Sequence, residues 1–319
     1  MDARIEPGSI RSKIHEAEMK DTSIAFIGGG NMARSLIGGL IASGSAPTSL
    51  WVAEPDAGQR EILRGRFGVH TGVDNRDIAA RAGVVVLAVK PQVLRPVAKE
   101  LAEIVGARQP LVISVAAGVR EPDIRRWLGG NAAIVRAMPN TPALVGSGAT
   151  ALFANAQVSD GQRQTAESIL RAVGLVVWVA AEGLLDAVTA LSGSGPAYFF
   201  LLMETLEKIG VRLGLEPEVS RLLTIQTAFG AAKMALESPD NAAALRARVT
   251  SPGGTTERAI SVFQDEQLDV LIAKSLNASL AILETPALLA EGLDDLVAKA
   301  LEAARHRSVE LGDLLGGQP

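Results

Sequence analysis

Cysteine is absent from this 319-residue chain. That excludes a disulfide framework, a thiolate nucleophile and a thiolate metal site. Histidine is scarce: His15, His70 and His306 are the 3 present, and none stands in a motif that would make it a proton carrier or a metal ligand. A hydroxy-acid dehydrogenase needs a His or Lys to move the alcohol proton, so the shortage argues against that chemistry. Positive charge is not in excess either: 31 Lys and Arg face 35 Asp and Glu, for a net charge of −4. No basic stripe exists, and nucleic acid is not an expected partner. No apolar stretch is long and clean enough to span a membrane. Residues 1–20 mix Asp2, Glu6, Glu16 and Glu18 with Arg4, Arg11, Lys13 and Lys20 and lack the apolar core of a signal peptide. The reading is a cytoplasmic chain in which 1–20 is a flexible extension and Met19 a plausible alternative start.

What is present is ample apolar material, 48% of residues, over a length that suggests about two domains. Ile24-Ala25-Phe26-Ile27 is an apolar run of strand type that leads into Gly28-Gly29-Gly30-Asn31-Met32-Ala33, a G-x-G-x-x-A pattern. Leu36, Ile37, Leu40 and Ile41 then recur at helical spacing. Gly28 permits the tight turn, Gly30 lets the backbone approach a pyrophosphate, and Ala33 lets helix and strand pack closely. The strand-turn-helix setting favours a dinucleotide site over a glycine-rich packing turn. A second run, Leu50-Trp51-Val52-Ala53, ends at Glu54, about where a carboxylate grips the adenosine ribose.

Alternation of strand and helix continues to about Ala180. Continuous apolar runs at Val84–Val89, Leu111–Val115 and Ala133–Arg136 fit strands buried on both faces, with two last strands at Ala149–Phe153 and Leu175–Val179. Ligands of open α/β sheets bind outside the carboxyl ends of the strands. Lys90, Ala116-Ala117 and Asn140-Thr141 are therefore expected to line one crevice with Gly28–Met32. After Ala180 the pattern is helical: Leu184–Leu191, Gly195–Leu213, Pro217–Glu237, Asn241–Val249, then Thr256 onward. Leu222, Leu223, Ile225, Ala228, Phe229, Ala232 and Met234 cover broad faces. Such coverage suits either an intrachain core or a subunit interface. The expected fold is α/β: a flexible 1–20, a Rossmann-like dinucleotide-binding domain over 21–182, and an all-α helical-bundle substrate and dimerisation domain over 183–319.

Ser251-Pro252-Gly253-Gly254-Thr255-Thr256 reads as a tight loop running into a helix. Pro252 fixes φ, the glycines open backbone angles closed to other residues, and Thr255 or Thr256 is a candidate cap. Amides converging at a helix N-terminus make a binder for a small carboxylate or phosphate.

These motifs resemble the pyrroline-5-carboxylate reductases. The resemblance runs from about Ser23 to Val262 and returns at Ala303–Leu311. It rests on Phe26–Ala33, Ala88-Val89-Lys90-Pro91, Ala116-Ala117-Gly118, Met138-Pro139-Asn140-Thr141-Pro142, Leu191–Tyr198 and Val249–Thr256. It implies an NAD(P)H-dependent oxidoreductase acting on a C=N bond, reducing 1-pyrroline-5-carboxylate to L-proline in the last step of proline biosynthesis. It further implies no metal, and a homodimer that assembles further, up to a decamer. In the family's pattern Ile27, Gly28, Gly29, Gly30, Asn31 and Met32 would wrap the pyrophosphate, and Glu54 and Asp56 would face the ribose. Asn75, Ala88, Val89, Lys90, Pro91, Val115, Ala116 and Ala117 would line the cofactor groove. Ser251, Gly253, Gly254, Thr255 and Thr256 would form the substrate loop, holding the carboxylate on the amides of Gly254, Thr255 and Thr256. The Thr256 hydroxyl would bond the imine nitrogen, as the catalytic group. The cofactor is NADPH or NADH: Glu54 favours NADH by repelling a 2′-phosphate, while Arg60 and Arg64 nearby can answer that repulsion. Lys90, before Pro91, suits a backbone or phosphate contact better than catalysis, and Ser194 and Tyr198 suit a helix start.

Three departures stand out. Ser238-Pro239-Asp240-Asn241 lacks the acidic residue and His-Pro often found there, and Ala247 stands where the family often has Asp. Extra residues follow Phe263 as an apparent duplication at 266–291: Glu266–Leu276 reappears as Glu291–Leu301 with Glu, Leu, Asp, Leu, Ala, Lys and Leu in place. An additional helix is expected over 266–281. Two rival readings are another nicotinamide enzyme on the same plan, either an imine reductase or a β-hydroxyacid dehydrogenase (the latter needing the lysine of a G-x-x-x-N-x-x-K helix, which is missing), and a non-catalytic nucleotide-binding protein that senses the cofactor or scaffolds a partner.

Overall fold

The computed structural model describes residues 22–284. The expected alternation folds into a single sheet flanked by helices. β1 (Ile24–Ile27) feeds α1 (Asn31–Ala42), β2 (Leu50–Ala53) feeds α2 (Ala57–Phe67), and β3 (His70–Gly72) precedes α3 (Asn75–Ala79). β4 (Val84–Leu87) leads to α4 (Pro91–Arg108), β5 (Leu111–Ser114) to α5 (Glu121–Trp127), and β6 (Ala133–Met138) to β7 (Gly148–Ala154). α6 (Asp160–Arg171), β8 (Gly174–Trp178) and α7 (Leu184–Val188) follow. The strands form one sheet in the order β3-β2-β1-β4-β5-β6-β7-β8.

β1, β2, β4 and β5 are wholly or almost wholly buried, as their unbroken apolar runs demand, because helices cover both faces. On one side Phe26, Leu36, Leu40, Leu63 and Ile169 cluster; on the other Ile27, Leu94, Leu101, Val112 and Ile124 do. Each such residue, withdrawn fully from water, contributes roughly 1.5–3 kcal/mol. β6 and β7 are antiparallel, the one such pair among the described strands. Only a short 3₁₀ turn, Thr141–Val145, links them, and a parallel return needs a crossover of about a dozen residues or more. β3 is the strand the sequence reading omits; its three residues carry no apolar run, and His70 stacks on Trp51 with ring centroids 4.0 Å apart.

Contacts divide the chain after Gly193, beyond the point near residue 182 where strands give way to helix. Ion pairs hold the stretch after β8 to the sheet unit. The buried Arg136 of β6 donates to Glu182 Oε1 at 2.6 Å, and Arg120 donates to Asp186 at 2.7 Å. Glu182 also accepts the Glu121 amide, and Glu121 in turn accepts from Arg125 and Asn155. Each buried charge in this group has a partner, the condition for tolerating it away from water.

The second unit, Ser194–Ser279, is built of helices. They are α8 (Gly195–Arg212), α9 (Pro217–Glu237), α10 (Ala242–Arg248), α11 (Thr255–Asp265) and α12, which runs Leu268–Glu284 and contains most of the additional helix expected over 266–281. The second copy of the repeat lies outside the described residues, as do segment 1–20, His15 and His306. α8 and α9 approach closely: the Ser220 hydroxyl donates to Glu207 O at 2.9 Å, and a Cβ on Gly210 would meet that hydroxyl at 2.2 Å. Most of the apolar surface of these helices remains uncovered. Phe199 is 64% exposed, Phe229 60% and Leu236 82%, and the apolar residues of α9 are not confined to one face. Helices of that composition belong in a core or an interface. Among the described residues no helix is long and apolar enough to cross a membrane.

Candidate active site

The carboxyl ends of the central strands lie in register: Ile27 beside Ala53 and Leu87, and Leu87 beside Ser114. The strand order reverses between β1 and β4, which is where an open α/β sheet leaves its ligand crevice. The loops leaving these ends carry the residues singled out from the sequence.

Gly28 follows β1 with φ of 100°, and a Cβ there would stand 2.8 Å from Ala88 O and 3.1 Å from Val89 Cγ1. Only glycine fits that angle and that approach. The contact brings Ala88 and Val89 against the turn, and the Gly28 amide donates to Ala53 O at 2.8 Å. Gly29 is closed in from the other side: its Cβ would meet Leu63 at 2.7 Å. Gly30 caps α1 in extended geometry with no side-chain bond at the helix end, and a Cβ on it would meet nothing within 4 Å. Beyond it the first-turn amides of α1, on Asn31, Met32 and Ala33, have no helical acceptors. Open space before a glycine, at a helix N-terminus with free amides, fits the pyrophosphate of a dinucleotide.

Glu54 is half-buried beside this turn. Its Oε2 accepts the Gly29 amide at 2.9 Å and its Oε1 accepts the Asp56 amide at 3.0 Å. Asp56 caps α2 by accepting from the Gln59 amide at 2.7 Å. Asn75 opens α3, and its side-chain amide donates to Glu100 Oε2 of α4 at 2.9 Å. Lys90 is the extended N-cap of α4 with Pro91 in the first turn, and its side chain is exposed and makes no cap bond. Val115 donates to Leu87 O at 3.2 Å, so Val115–Ala117 continue the row of strand ends, with Ala116 buried.

Asn140 has a structural part that sequence reasoning did not reach. Its Oδ1 accepts the Ala149 amide at 2.9 Å and its Nδ2 donates to Ser192 O at 3.1 Å. A Cβ on Gly193 would meet Met138 Cε at 2.6 Å. The Met138–Pro142 and Leu191-Ser192-Gly193 motifs are thus one joint, and the chain takes a π-turn there, Thr189–Gly193.

In the helical unit, Ser251 to Gly254 form a turn. Ser251 O accepts the Gly254 amide at 3.0 Å, and Gly253 has φ of 72°. Pro252 before such a residue is the signature of a type II turn. This corrects two expectations. Neither threonine caps α11; Gly254 does, with ψ of 167° and no side-chain bond, because the turn delivers it already extended. The Gly254 amide is also spent on Ser251 O, and the Gly253 amide donates to Glu257 Oε2 at 2.7 Å. The amides left open are those of the first helical turn, Thr255, Thr256 and Glu257, with the exposed Thr256 hydroxyl beside them. The stretch before the loop is held by its own residues: Asn241 caps α10 by accepting the Ala244 amide at 2.9 Å, and Asp240 pairs with Arg248 at 2.9 Å. Among the described residues no group of three potential ligands is placed to hold a metal ion.

Comparison with known proteins finds two family models along the chain. Residues 182–286 match a family model described as pyrroline-5-carboxylate reductase dimerisation, and residues 23–118 match one described as NADP oxidoreductase coenzyme F420-dependent. The dimerisation match takes in the first copy of the repeat. A pyrroline-5-carboxylate reductase of Pseudomonas aeruginosa is 46% identical over 93% of this chain and 100% of its own. The structure of a pyrroline-5-carboxylate reductase from Coxiella burnetii superposes with a TM-score of 0.80 at 50% identity, covering 82% of this chain and 97% of that one. The Plasmodium falciparum pyrroline carboxylate reductase, solved with NADP bound, superposes at 0.74 with 26% identity, over 83% of this chain and 98% of that one. With relatives this similar aligned along nearly their whole length, the chain belongs to the pyrroline-5-carboxylate reductase family.

Proposed function

We propose that this chain reduces 1-pyrroline-5-carboxylate to L-proline, the last step of proline biosynthesis, with NADPH or NADH. The observation that carries the reading is the pairing, in one family member, of a glycine cradle open at Gly30 with a Ser251–Gly254 turn that leaves first-turn amides of α11 free. When bound, the nicotinamide supplies a hydride to the imine carbon. The chain's own residues bind and orient. Ile27 to Met32 wrap the pyrophosphate, Glu54 and Asp56 face the ribose, and Asn75, Ala88–Pro91 and Val115–Ala117 line the groove. The amides of Thr255 and Thr256, at the positive end of the α11 dipole, take the substrate carboxylate. Ser251, Gly253 and Gly254 set the turn that presents them. The Thr256 hydroxyl bonds the ring nitrogen and keeps its proton in place as the carbon is reduced.

A strong base is not needed, because the imine nitrogen is basic enough to carry its proton near neutral pH. That agrees with a chain of 3 histidines in which His70 packs on Trp51. The uncovered faces of α8 and α9 support a homodimer, with further assembly up to a decamer. A net charge of −4 gives no footing to nucleic acid, and the reaction belongs to the cytoplasm. The test is NADH or NADPH oxidation at 340 nm with racemic pyrroline-5-carboxylate. Turnover is expected to stop near half of the racemate, with proline as product. Cofactor binding without any turnover would favour a sensor and count against the proposal.

A further inference from the structure

Along α1 runs a groove that neither the cofactor nor the substrate reading uses. It has a volume of about 420 Å³ and is bounded by α1, the end of α2, the 3₁₀ turn Thr141–Val145 and the bend at Ala172-Val173. Two glycines of α1 set its width. A Cβ on Gly38 would press on the Phe67 ring at 3.4 Å, and one on Gly39 would stand 2.5 Å from Ala172 O. Phe67, Ala143, Leu144 and Val173 supply apolar wall. Arg34 and Arg66 stand along it, and no carboxylate is among the lining residues. We propose that this groove binds a small organic phosphate monoester, an anionic head on an apolar body, in addition to the dinucleotide.

The two arginines carry donors that the chain itself does not use. Arg34 Nε donates to Gly29 O at 3.1 Å, and both of its terminal amino groups are without an acceptor among the described residues. Arg66 makes no hydrogen bond or ion pair there; its guanidinium lies over the Phe67 ring, 5.1 Å from the centroid. Stacking of this kind uses the face of the guanidinium and leaves its N–H edge free for an oxyanion. Arg64 on the same helix is the contrast, being paired with Glu61 at 2.6 Å. Two positive charges along one half-apolar groove repel each other unless an anion joins them. A phosphate dianion has the charge and the three oxygens to take both guanidinium forks, where a carboxylate has two oxygens. Phe67 and Leu144 offer cover to its carbon body, and Leu144 is 57% exposed without it.

The experiment is isothermal titration calorimetry of phenyl phosphate into the full-length protein at low salt. NADH is present at saturation, because the groove reaches Asn31 beside the pyrophosphate cradle. One saturable site per chain is expected. Inorganic phosphate and benzoate are each expected to bind at least ~10-fold more weakly, the first for want of an apolar body and the second for want of the dianion. Arg66→Ala is expected to weaken phenyl phosphate ~10-fold or more, the scale of one hydrogen bond to a charged group. The same variant should leave the NADH dissociation constant unchanged, since Arg66 has no part in the dinucleotide site. Arg34→Gln is expected to weaken phenyl phosphate to a similar degree. No saturable binding with NADH in place would overturn the proposal. So would benzoate or inorganic phosphate binding as tightly, or wild-type affinity in Arg66→Ala. The readout is heat of binding and not turnover, so failure here is separable from failure of the reductase reading.

Discussion

Thr256→Ala is expected to lower kcat by about 10²-fold or more while leaving the KM for pyrroline-5-carboxylate within a few-fold of wild type. Removing one positioned hydrogen-bond partner from a reacting centre costs about 10²–10³ in kcat, and the proposed role of the Thr256 hydroxyl at the ring nitrogen is of that kind. In the proposed site the substrate carboxylate would sit on backbone amides, which the substitution leaves in place. The loss should therefore fall on the step in which charge at the ring nitrogen changes, not on binding. Folding is not at stake, because the α11 cap is Gly254 and the Thr256 side chain is exposed without a cap bond. Thr256→Ser, which restores the hydroxyl, is expected to recover most of the rate. An alanine variant with wild-type kcat would reduce Thr256 to a spacer in the first turn of α11.

The second large effect concerns assembly. Phe199 of α8 and Leu223 of α9 are 64% and 55% exposed and lie on surfaces too apolar to face water in the working protein. The double substitution Phe199→Glu, Leu223→Glu is expected to abolish self-association. Burying an unpaired carboxylate costs several kcal/mol, and each 1.4 kcal/mol is about tenfold in a dissociation constant. Light scattering should move from a multiple of the 33.2 kDa chain to that mass itself or to insoluble protein, with activity lost alongside, because the unit bearing Thr255 and Thr256 is the one left uncovered. A wild-type oligomer of unchanged size in the double variant would show that these faces are covered some other way.

Much of this fold was legible residue by residue. The runs at Ile24–Ile27, Val84–Leu87 and Leu111–Ser114 became buried strands because each is long enough and apolar enough to need cover on both faces. The positive φ at Gly28 and the open space at Gly30 followed from a motif whose physics is local. Legibility failed where the deciding partner was distant or the turn geometry pre-empted the side chain. Arg136 and Glu182 stand far apart in sequence, and no pattern announces that they pair. At Ser251–Gly254 the sequence favoured a threonine cap by propensity, yet Pro252 and Gly253 close a turn that presents Gly254 first. The antiparallel run of β7 was available from the shortness of its connection to β6. The commitments of Arg60 and Arg64 were not, since two carbonyls and a neighbouring glutamate claim them only once the loop is folded.

In the proposed reaction the reducing equivalents reach the imine carbon directly from the nicotinamide. Reduction of pyrroline-5-carboxylate with NADH deuterated at both C4 positions, followed by NMR of the proline formed, reads the transfer itself. One deuterium per molecule, on C5 of L-proline, is expected. Unlabelled proline, deuterium at any other carbon, or oxidation of the cofactor without proline would contradict it.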